Sequence, residues 1–105
     1  MVSDITYDVY KIIRITHTGT KGKKGTDRTD GHYPFRIGRI VSLIPKYIIC
    51  NRPLYVNYLF DSDGSVMHDK VLRTSMVKNV TVDGNRVVIE TENSVFELEK
   101  VNVHE

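Results

Sequence analysis

The residues with the clearest potential for chemistry lie in GTKGKKGTDRTDG, residues 19–31, which combines four glycines and four basic residues with no apolar side chain. Glycine-rich segments hold phosphates in P-loop proteins, where the pattern is G-x-x-x-x-G-K-[ST] between a strand and a helix. Here Gly22-Lys23 is followed by Lys24, and the chain continues to Pro34 without helical periodicity. The dinucleotide motif G-x-G-x-x-G is absent as well. The spacing therefore excludes a nucleotide-binding P-loop.

Two interpretations of this segment remain. In the first, its basic side chains form a mobile finger that meets phosphates or an acidic protein surface through a salt-sensitive attraction. In the second, residues 17–33 form a flexible connector kept in solution by its charge, since Asp27 and Asp30 dilute the positive charge. The basic side chains of the finger are Lys21, Lys23, Lys24 and Arg28.

Acidic side chains concentrate near the other end of the chain. Residues 1–40 contain eight Lys or Arg against four Asp or Glu, whereas residues 83–105 contain two against six, although the net charge is only +2. This distribution indicates a dipolar molecule rather than a general binder of polyanions. We interpret the hairpin carboxylates as a solvated face or as a docking surface for a basic protein partner. They are Glu90, Glu92, Glu97 and Glu99.

Aromatic and basic residues lie close together between positions 33 and 39, a composition that suits stacking on nucleic-acid bases. The candidate contacts of this alternative are Tyr33, Arg36 and Arg39. Phe35, Tyr47 and Tyr55 could add stacking surfaces. The structural alternative places Phe35 in the core of a small barrel and the tyrosines at its rims.

No constellation typical of catalysis or of metal binding is present. The DSDG stretch at residues 61–64 fails the EF-hand spacing, and the four histidines lack metal-ligand spacing. Cys50 follows three apolar residues and is predicted to be buried, so its pairing with His68 as an active thiol is the weaker alternative. The sequence predicts that the protein is not an enzyme and needs no cofactor and no metal.

Short apolar–polar alternations predict strands throughout. The predicted strands are 6–16 with a bulge near Lys11, 34–44 with a bulge or close approach at Gly38, 54–60, 65–73, 77–82, 85–91 and 94–101. A short helix at 66–72 is the competing interpretation of the fourth. Asp83-Gly84 predicts a type I′ hairpin. Val80, Val82, Val87 and Ile89 are expected to share one buried face.

Six to seven short strands without a long helix predict an all-β fold. We expect a small antiparallel barrel or sandwich, SH3-like or OB-like, with the long basic loop after strand 1. At 105 residues the chain fits one domain over residues 1–105. The single cysteine excludes an intrachain disulfide, and the first residues lack the features of a signal peptide. No apolar stretch approaches membrane-spanning length, so we expect a cytoplasmic protein without membrane contact.

The segment LRTSMVKNVTVDGNRVVIETENSVFELE, residues 72–99, resembles the C-terminal half of small uncharacterised proteins of Gram-positive bacteria and their phages. Those proteins carry a Leu-Arg-Thr-Ser-x-Val start, here residues 72–77, before a Thr-x-Asn-Ser-x-aromatic hairpin, here residues 91–96. The resemblance covers about a quarter of the chain and includes no catalytic residue. It implies a small β protein of bacterial or phage origin, a kind that includes anti-CRISPR inhibitors of host defence enzymes.

The sequence thus predicts a non-enzymatic binding protein that occludes a surface of a protein partner. A nucleic-acid-handling defence nuclease is the kind of partner that the resemblance implies. The alternative is a small nucleic-acid-binding barrel that uses the basic loop together with residues 33–39.

Overall fold

The computed structural model describes residues 8–101 and contains one antiparallel β-sheet closed on itself. Its elements are β1 (Val9–His17), α1 (Tyr33–Arg36), β2 (Ile40–Ser42), a 3₁₀ turn (Pro45–Tyr47), β3 (Pro53–Phe60), β4 (Val71–Asp83), β5 (Arg86–Thr91) and β6 (Ser94–Lys100). Each strand pairs with its neighbours in the chain, and β6 closes the barrel against β1. The predicted small all-β barrel with a long loop after strand 1 is confirmed. Its up-and-down order differs from the Greek-key order of an OB fold.

Alternating side chains fill the barrel and leave polar residues outside. In β6, Ser94, Phe96 and Leu98 are buried, while the residues between them point outward. In β1 the pairing with β6 shifts between Ile12 and Arg14, close to the bulge predicted near Lys11. A shift of one residue moves the following side chains to the other face. Both Ile12 and Ile15 are consequently buried, and the bulge keeps β1 apolar on its inner side.

The strand β4 turns the corner of the barrel. Its first half, residues 71–76, pairs with β3, and its second half, residues 77–83, pairs with β5. The predicted break between residues 73 and 77 is therefore wrong, because one continuous strand serves both neighbours. Neither alternative for residues 66–70 holds: they are irregular apart from one isolated bridge, Phe60 to Val66, and the strand begins at Val71.

The β4–β5 hairpin differs from its prediction at the turn and on its inner face. Asp83 pairs with Arg86, so the two connecting residues are Gly84 and Asn85. Of these two residues, only Gly84 has a positive φ, +59°. This is the pattern of a type II′ turn, whereas a type I′ turn requires a positive φ at both positions. Val82 is 56% exposed rather than buried. The last pair between β3 and β4 lies at Met76, so no described strand pairs with the β3-facing edge of β4 beyond that residue. Val82 lies on this uncovered end of β4.

The chain between β1 and β3 contains less strand than predicted. Residues 33–36 form the short helix α1, which starts with Pro34 near its N-terminus, and β2 spans only three residues. Phe35 lies on this helix outside the barrel and is 65% exposed, so its placement in the core is wrong. Gly38 makes the predicted close approach, because a Cβ there would lie 3.0 Å from the Ser62 Cβ. Cys50 is exposed because it lies in the surface connection before β3, so its predicted burial is wrong.

Candidate nucleic-acid interface

The basic loop is attached to the barrel along its length. Two backbone hydrogen bonds join the end of β1 to the loop. The His17 N–H donates to the Thr26 carbonyl, and the Gly25 N–H donates to the His17 carbonyl, both at 2.9 Å. The Thr18 hydroxyl donates to the Glu92 carbonyl and the Thr20 hydroxyl to the Asn93 side chain, each at 2.7 Å. The loop therefore lies against the β5–β6 turn. Its flexibility stays a prediction.

Arg28 is the exception among the four basic loop residues, because its side chain is only 4% exposed. Its guanidinium donates to Ser94 Oγ at 2.7 Å and to the Asn93 carbonyl at 3.3 Å, and it pairs with both carboxylate oxygens of Asp30. A buried cation is tolerated when its donors are satisfied in this way. The hydrogen bonds from Arg28 hold the pKa of Asp30 below its ordinary value. Arg28 is thus unavailable to a partner, contrary to its predicted place in the basic finger.

The three lysines of the loop differ from Arg28 in their exposure. Lys21, Lys23 and Lys24 are exposed and form no ion pair with the residues that the structure describes. Their binding role stays a prediction. The loop backbone beside them is packed closely, because a Cβ on Gly22 would lie 2.8 Å from the ring of the buried His17.

The ring of Tyr33 contacts both the buried Arg28 and Arg36 of α1. The Arg28 guanidinium carbon lies 3.9 Å from the centre of the Tyr33 ring, and that of Arg36 lies 4.5 Å from it. Such contacts between guanidinium groups and aromatic rings are favourable by about 0.5–2 kcal/mol each. Arg28 therefore positions Tyr33 and, through it, the α1 residue Arg36.

A concave site of about 350 Å³ opens beside α1, and we call it the cationic pocket. It gathers basic and aromatic side chains from α1, β3 and the connection before β4, and no carboxylate of residues 8–101 lies in its lining. The lining residues are His32, Phe35, Arg36, Arg39, Tyr58, Met67, Lys70 and Val71. Arrangements of this kind bind anions, and an aromatic face at the rim adds a stacking surface.

Arg39 is fixed at the base of the cationic pocket. Its Nε donates to Asp61 Oδ1 at 3.2 Å, and its guanidinium carbon lies 4.8 Å from the centre of the Tyr58 ring. Burial lowers the pKa of Arg39, but Tyr58 and Asp61 more than offset this and raise it overall. The backbone N–H of Ser62, followed by Arg39, lowers the pKa of Asp61. Arg39 is consequently a permanent, oriented cation.

Tyr58 contributes a buried hydroxyl to the same place. The hydroxyl lies beside Arg39 but makes no hydrogen bond of good geometry to any residue in the described range 8–101. An unsatisfied buried donor costs about 1–3 kcal/mol. An acceptor in the cationic pocket would remove this cost only if the side chains that cover the hydroxyl oxygen moved aside, because this oxygen has almost no exposed surface.

The cationic pocket brings together two of the three residues predicted as nucleic-acid contacts, Arg36 and Arg39, with Tyr33 packed behind Arg36. Sequence reasoning missed Lys70 and Tyr58. Lys70 reaches the site because its carbonyl accepts a 2.9 Å hydrogen bond from the Tyr58 N–H at the end of the β3–β4 pairing. No local pattern links these two residues to α1.

The outer face of β3 and β4 continues from the cationic pocket through Val71, which lines the pocket and pairs with Asn57. Beyond it, Tyr55 is 60% exposed and pairs with Arg73, whose guanidinium carbon lies 5.7 Å from the centre of the Tyr55 ring. The face thus carries a second exposed aromatic ring next to an arginine.

The carboxylates of the last hairpin do not form a continuous acidic surface. Glu97 lies opposite Arg14, and Glu99 lies between Lys11 on β1 and Arg86 on β5. The Arg86 Nε is 3.7 Å from a Glu99 carboxylate oxygen. Two of the four predicted acidic contacts are therefore opposed by cations across the sheet. Their role in docking stays a prediction.

Glu90 and Glu92 are the other two members of this set. Glu90 is exposed and lies opposite Asn79 and Val95. Glu92 is exposed in the β5–β6 turn, where its carbonyl accepts the hydroxyl of Thr18. Neither side chain forms an ion pair with the residues of the described range.

Other kinds of site find little support in the described part of the chain. Residues 8–101 contain no group of three or more metal-binding side chains. No helix among them is long and apolar enough to cross a membrane. Cys50 and His68 are both exposed on connections between strands. Comparison with protein-family models, with curated proteins and with solved structures finds no match to this chain.

Proposed function

We propose that this protein is a non-enzymatic cytoplasmic protein that binds single-stranded nucleic acid at the cationic pocket and along the adjoining outer face of β3 and β4. The observation that carries the proposal is the convergence of Arg36, Arg39 and Lys70 on one concavity, which no carboxylate in the described part of the chain lines. Cations from separate elements, brought to one place by the fold, provide the phosphate contacts that give affinity to such complexes.

The aromatic residues favour a single strand over a duplex. Phe35 at the rim of the cationic pocket and Tyr55 on the sheet face are exposed, and each lies near an arginine. Unpaired bases stack on such rings with about 1–3 kcal/mol per base, whereas the bases of a duplex already stack on one another. The net charge of +2 supports a local contact rather than general adhesion to polyanions.

The test compares two double variants that each remove two positive charges. Arg36→Ala/Lys70→Ala alters the cationic pocket, and Lys21→Ala/Lys24→Ala alters the loop. Binding of a fluorescent single strand of about 12 nucleotides, within the range of small barrels, is measured by anisotropy. The pocket variant should bind at least about tenfold more weakly, which corresponds to about 1.4 kcal/mol. The loop variant should stay within about threefold of the wild type. Equal losses, or no binding by the wild type at low salt, would overturn the proposal.

A second candidate function is occlusion of a protein partner, such as a bacterial defence nuclease inhibited by a phage-encoded protein. It is favoured by an open cleft of about 600 Å³ at one end of the barrel, where Tyr10, Ile44 and Val82 contribute apolar surface. Exposed apolar clusters with a polar rim are typical of protein interfaces. The four glutamates of the last hairpin, Glu90, Glu92, Glu97 and Glu99, remain the acidic contacts of this candidate.

Capture from a bacterial host with wild-type protein and with Val82→Asp tests this candidate, and Glu90→Lys/Glu97→Lys tests the charged contacts. A partner retained by the wild type and lost with Val82→Asp would support occlusion through the cleft. Retention of the same partner by both variants would contradict it.

A further inference from the structure

We propose that the cationic pocket holds the terminal phosphate of a single strand, a phosphate monoester, in preference to the phosphodiesters within the strand. This inference rests on the proposed function. It concerns which part of the nucleic acid the pocket takes, and the outer face of β3 and β4 would carry the nucleotides that follow.

The first argument is the balance of charge. Arg36, Arg39 and Lys70 supply three positive charges, and Asp61, the one carboxylate within residues 8–101 that is paired with them, removes one, so these four side chains sum to +2. A phosphodiester carries a single negative charge, whereas a phosphate monoester carries about −1.5 to −2 near pH 7. A monoester therefore neutralises the pocket, and a diester leaves it with an excess of positive charge.

The second argument is the number of donors. A monoester presents three terminal oxygens, each a strong acceptor, whereas a diester presents two. The pocket offers two guanidinium groups, which suit phosphate geometry, and the Lys70 ammonium. The Tyr58 hydroxyl adds a donor that has no partner within residues 8–101 and lies beside Arg39. A third oxygen gives this hydroxyl an acceptor once the side chains that cover the hydroxyl oxygen move aside.

The third argument is the shape of the site. A concavity of about 350 Å³ is at the small end of ligand pockets, which span roughly 300–1,000 Å³. This suits one phosphate and its nucleoside rather than a run of nucleotides. Phe35, exposed at the rim, is placed to stack on the terminal base. The strand would then continue past Val71 to the exposed ring of Tyr55.

The test uses one sequence in four forms: with a 5′-phosphate, with a 3′-phosphate, with hydroxyl groups at both ends, and as a closed circle. Their affinities for the wild type are measured by competition in the same anisotropy assay. One phosphorylated form should bind at least about tenfold more tightly than the hydroxyl and circular forms. Tyr58→Phe should reduce the ratio of the affinity for the phosphorylated form to the affinity for the hydroxyl form by several-fold, because it removes one donor and keeps the ring. Lys21→Ala/Lys24→Ala is the control and should leave this affinity ratio unchanged.

The outcomes separate this inference from the proposed function. Equal affinity for all four forms would overturn end recognition while single-strand binding stands. Absence of binding to every form would overturn both. A phosphate preference that Tyr58→Phe and Lys70→Ala both leave intact would show that the end is held elsewhere and would also overturn the inference.

Discussion

Arg28 Nη1 donates a 2.7 Å hydrogen bond to Ser94 Oγ and thereby joins the loop after β1 to the first residue of β6, 66 positions further along the chain. On its other side the same guanidinium lies against the ring of Tyr33. The arginine of the basic segment therefore supports the barrel and α1, while the candidate binding site is formed by the half-buried Arg36 and Arg39 and the exposed Lys70.

Arg28→Ala should lower the free energy of unfolding by about 2–4 kcal/mol, because Ser94, Asn93 and Asp30 lose their buried donor. Urea unfolding followed by circular dichroism measures the change. Lys23→Ala is the matched control, since Lys23 is exposed in the same loop, and it should stay within about 0.5 kcal/mol of the wild type. Equal stability of the two variants would show that the Arg28 contacts are not formed.

Asp30 should make the protein sensitive to acid. Its pKa is lowered from 3.8, first by the hydrogen bonds from Arg28, so the folded state favours the ionised carboxylate. This contribution to stability is present above about pH 4 and is lost as the pH falls through the lowered pKa. The unfolding free energy of Asp30→Asn should therefore fall less between pH 4 and more acidic values than that of the wild type. Asp83→Asn, at an exposed position, is the control and should lose stability in acid to the same extent as the wild type. The same loss in Asp30→Asn as in the wild type would contradict the pairing of Asp30 with Arg28.

Gly22→Ala should destabilise the loop, because the added methyl group would lie 2.8 Å from atoms of the buried His17 ring. Overpacking of this kind costs about 1–3 kcal/mol, which corresponds to a loss of several degrees in Tm for a domain of this size. Differential scanning fluorimetry of Gly22→Ala against Lys21→Ala provides the comparison. A Tm for Gly22→Ala equal to that of the control would mean that the loop does not pack on His17.

Glu99→Lys should lower stability by about 0.5–1 kcal/mol at low salt, because it places a third positive charge between Lys11 and Arg86. The loss should shrink at high salt, since these charges are at the surface. Glu90→Lys, opposite Asn79 and Val95, should have a smaller effect. Chemical denaturation at two salt concentrations distinguishes them, and equal effects of both reversals would contradict the cross-strand pairing of Glu99.

The all-β class and the final hairpin follow from local patterns. Alternation of apolar and polar residues in β5 and β6, with Glu92 and Asn93 between them, is sufficient to place both strands and their turn. The short helix α1 leaves no such signal, since a four-residue element is too short for helical periodicity. Val82 is exposed because the pairing of β3 with β4 does not extend to the end of β4. The apolar–polar alternation around Val82 carries no information about the extent of that pairing.

The candidate site was predictable only in part. Arg36 and Arg39 lie close together in the sequence beside aromatic residues, and this local composition predicts a contact with bases. Lys70 and Tyr58 join them only through the pairing of β3 with β4. The burial of Arg28 likewise depends on a residue 66 positions away, so its charge alone suggested a surface role.

The most direct test of the proposed function is the salt dependence of single-strand binding. Each phosphate contact contributes a slope of about −0.7 to the logarithm of the association constant against the logarithm of salt concentration. Arg36→Ala/Lys70→Ala should therefore reduce the magnitude of the wild-type slope by about 1.4, whereas Lys21→Ala/Lys24→Ala should leave it unchanged. The same slope for the wild type and the pocket variant would contradict the account.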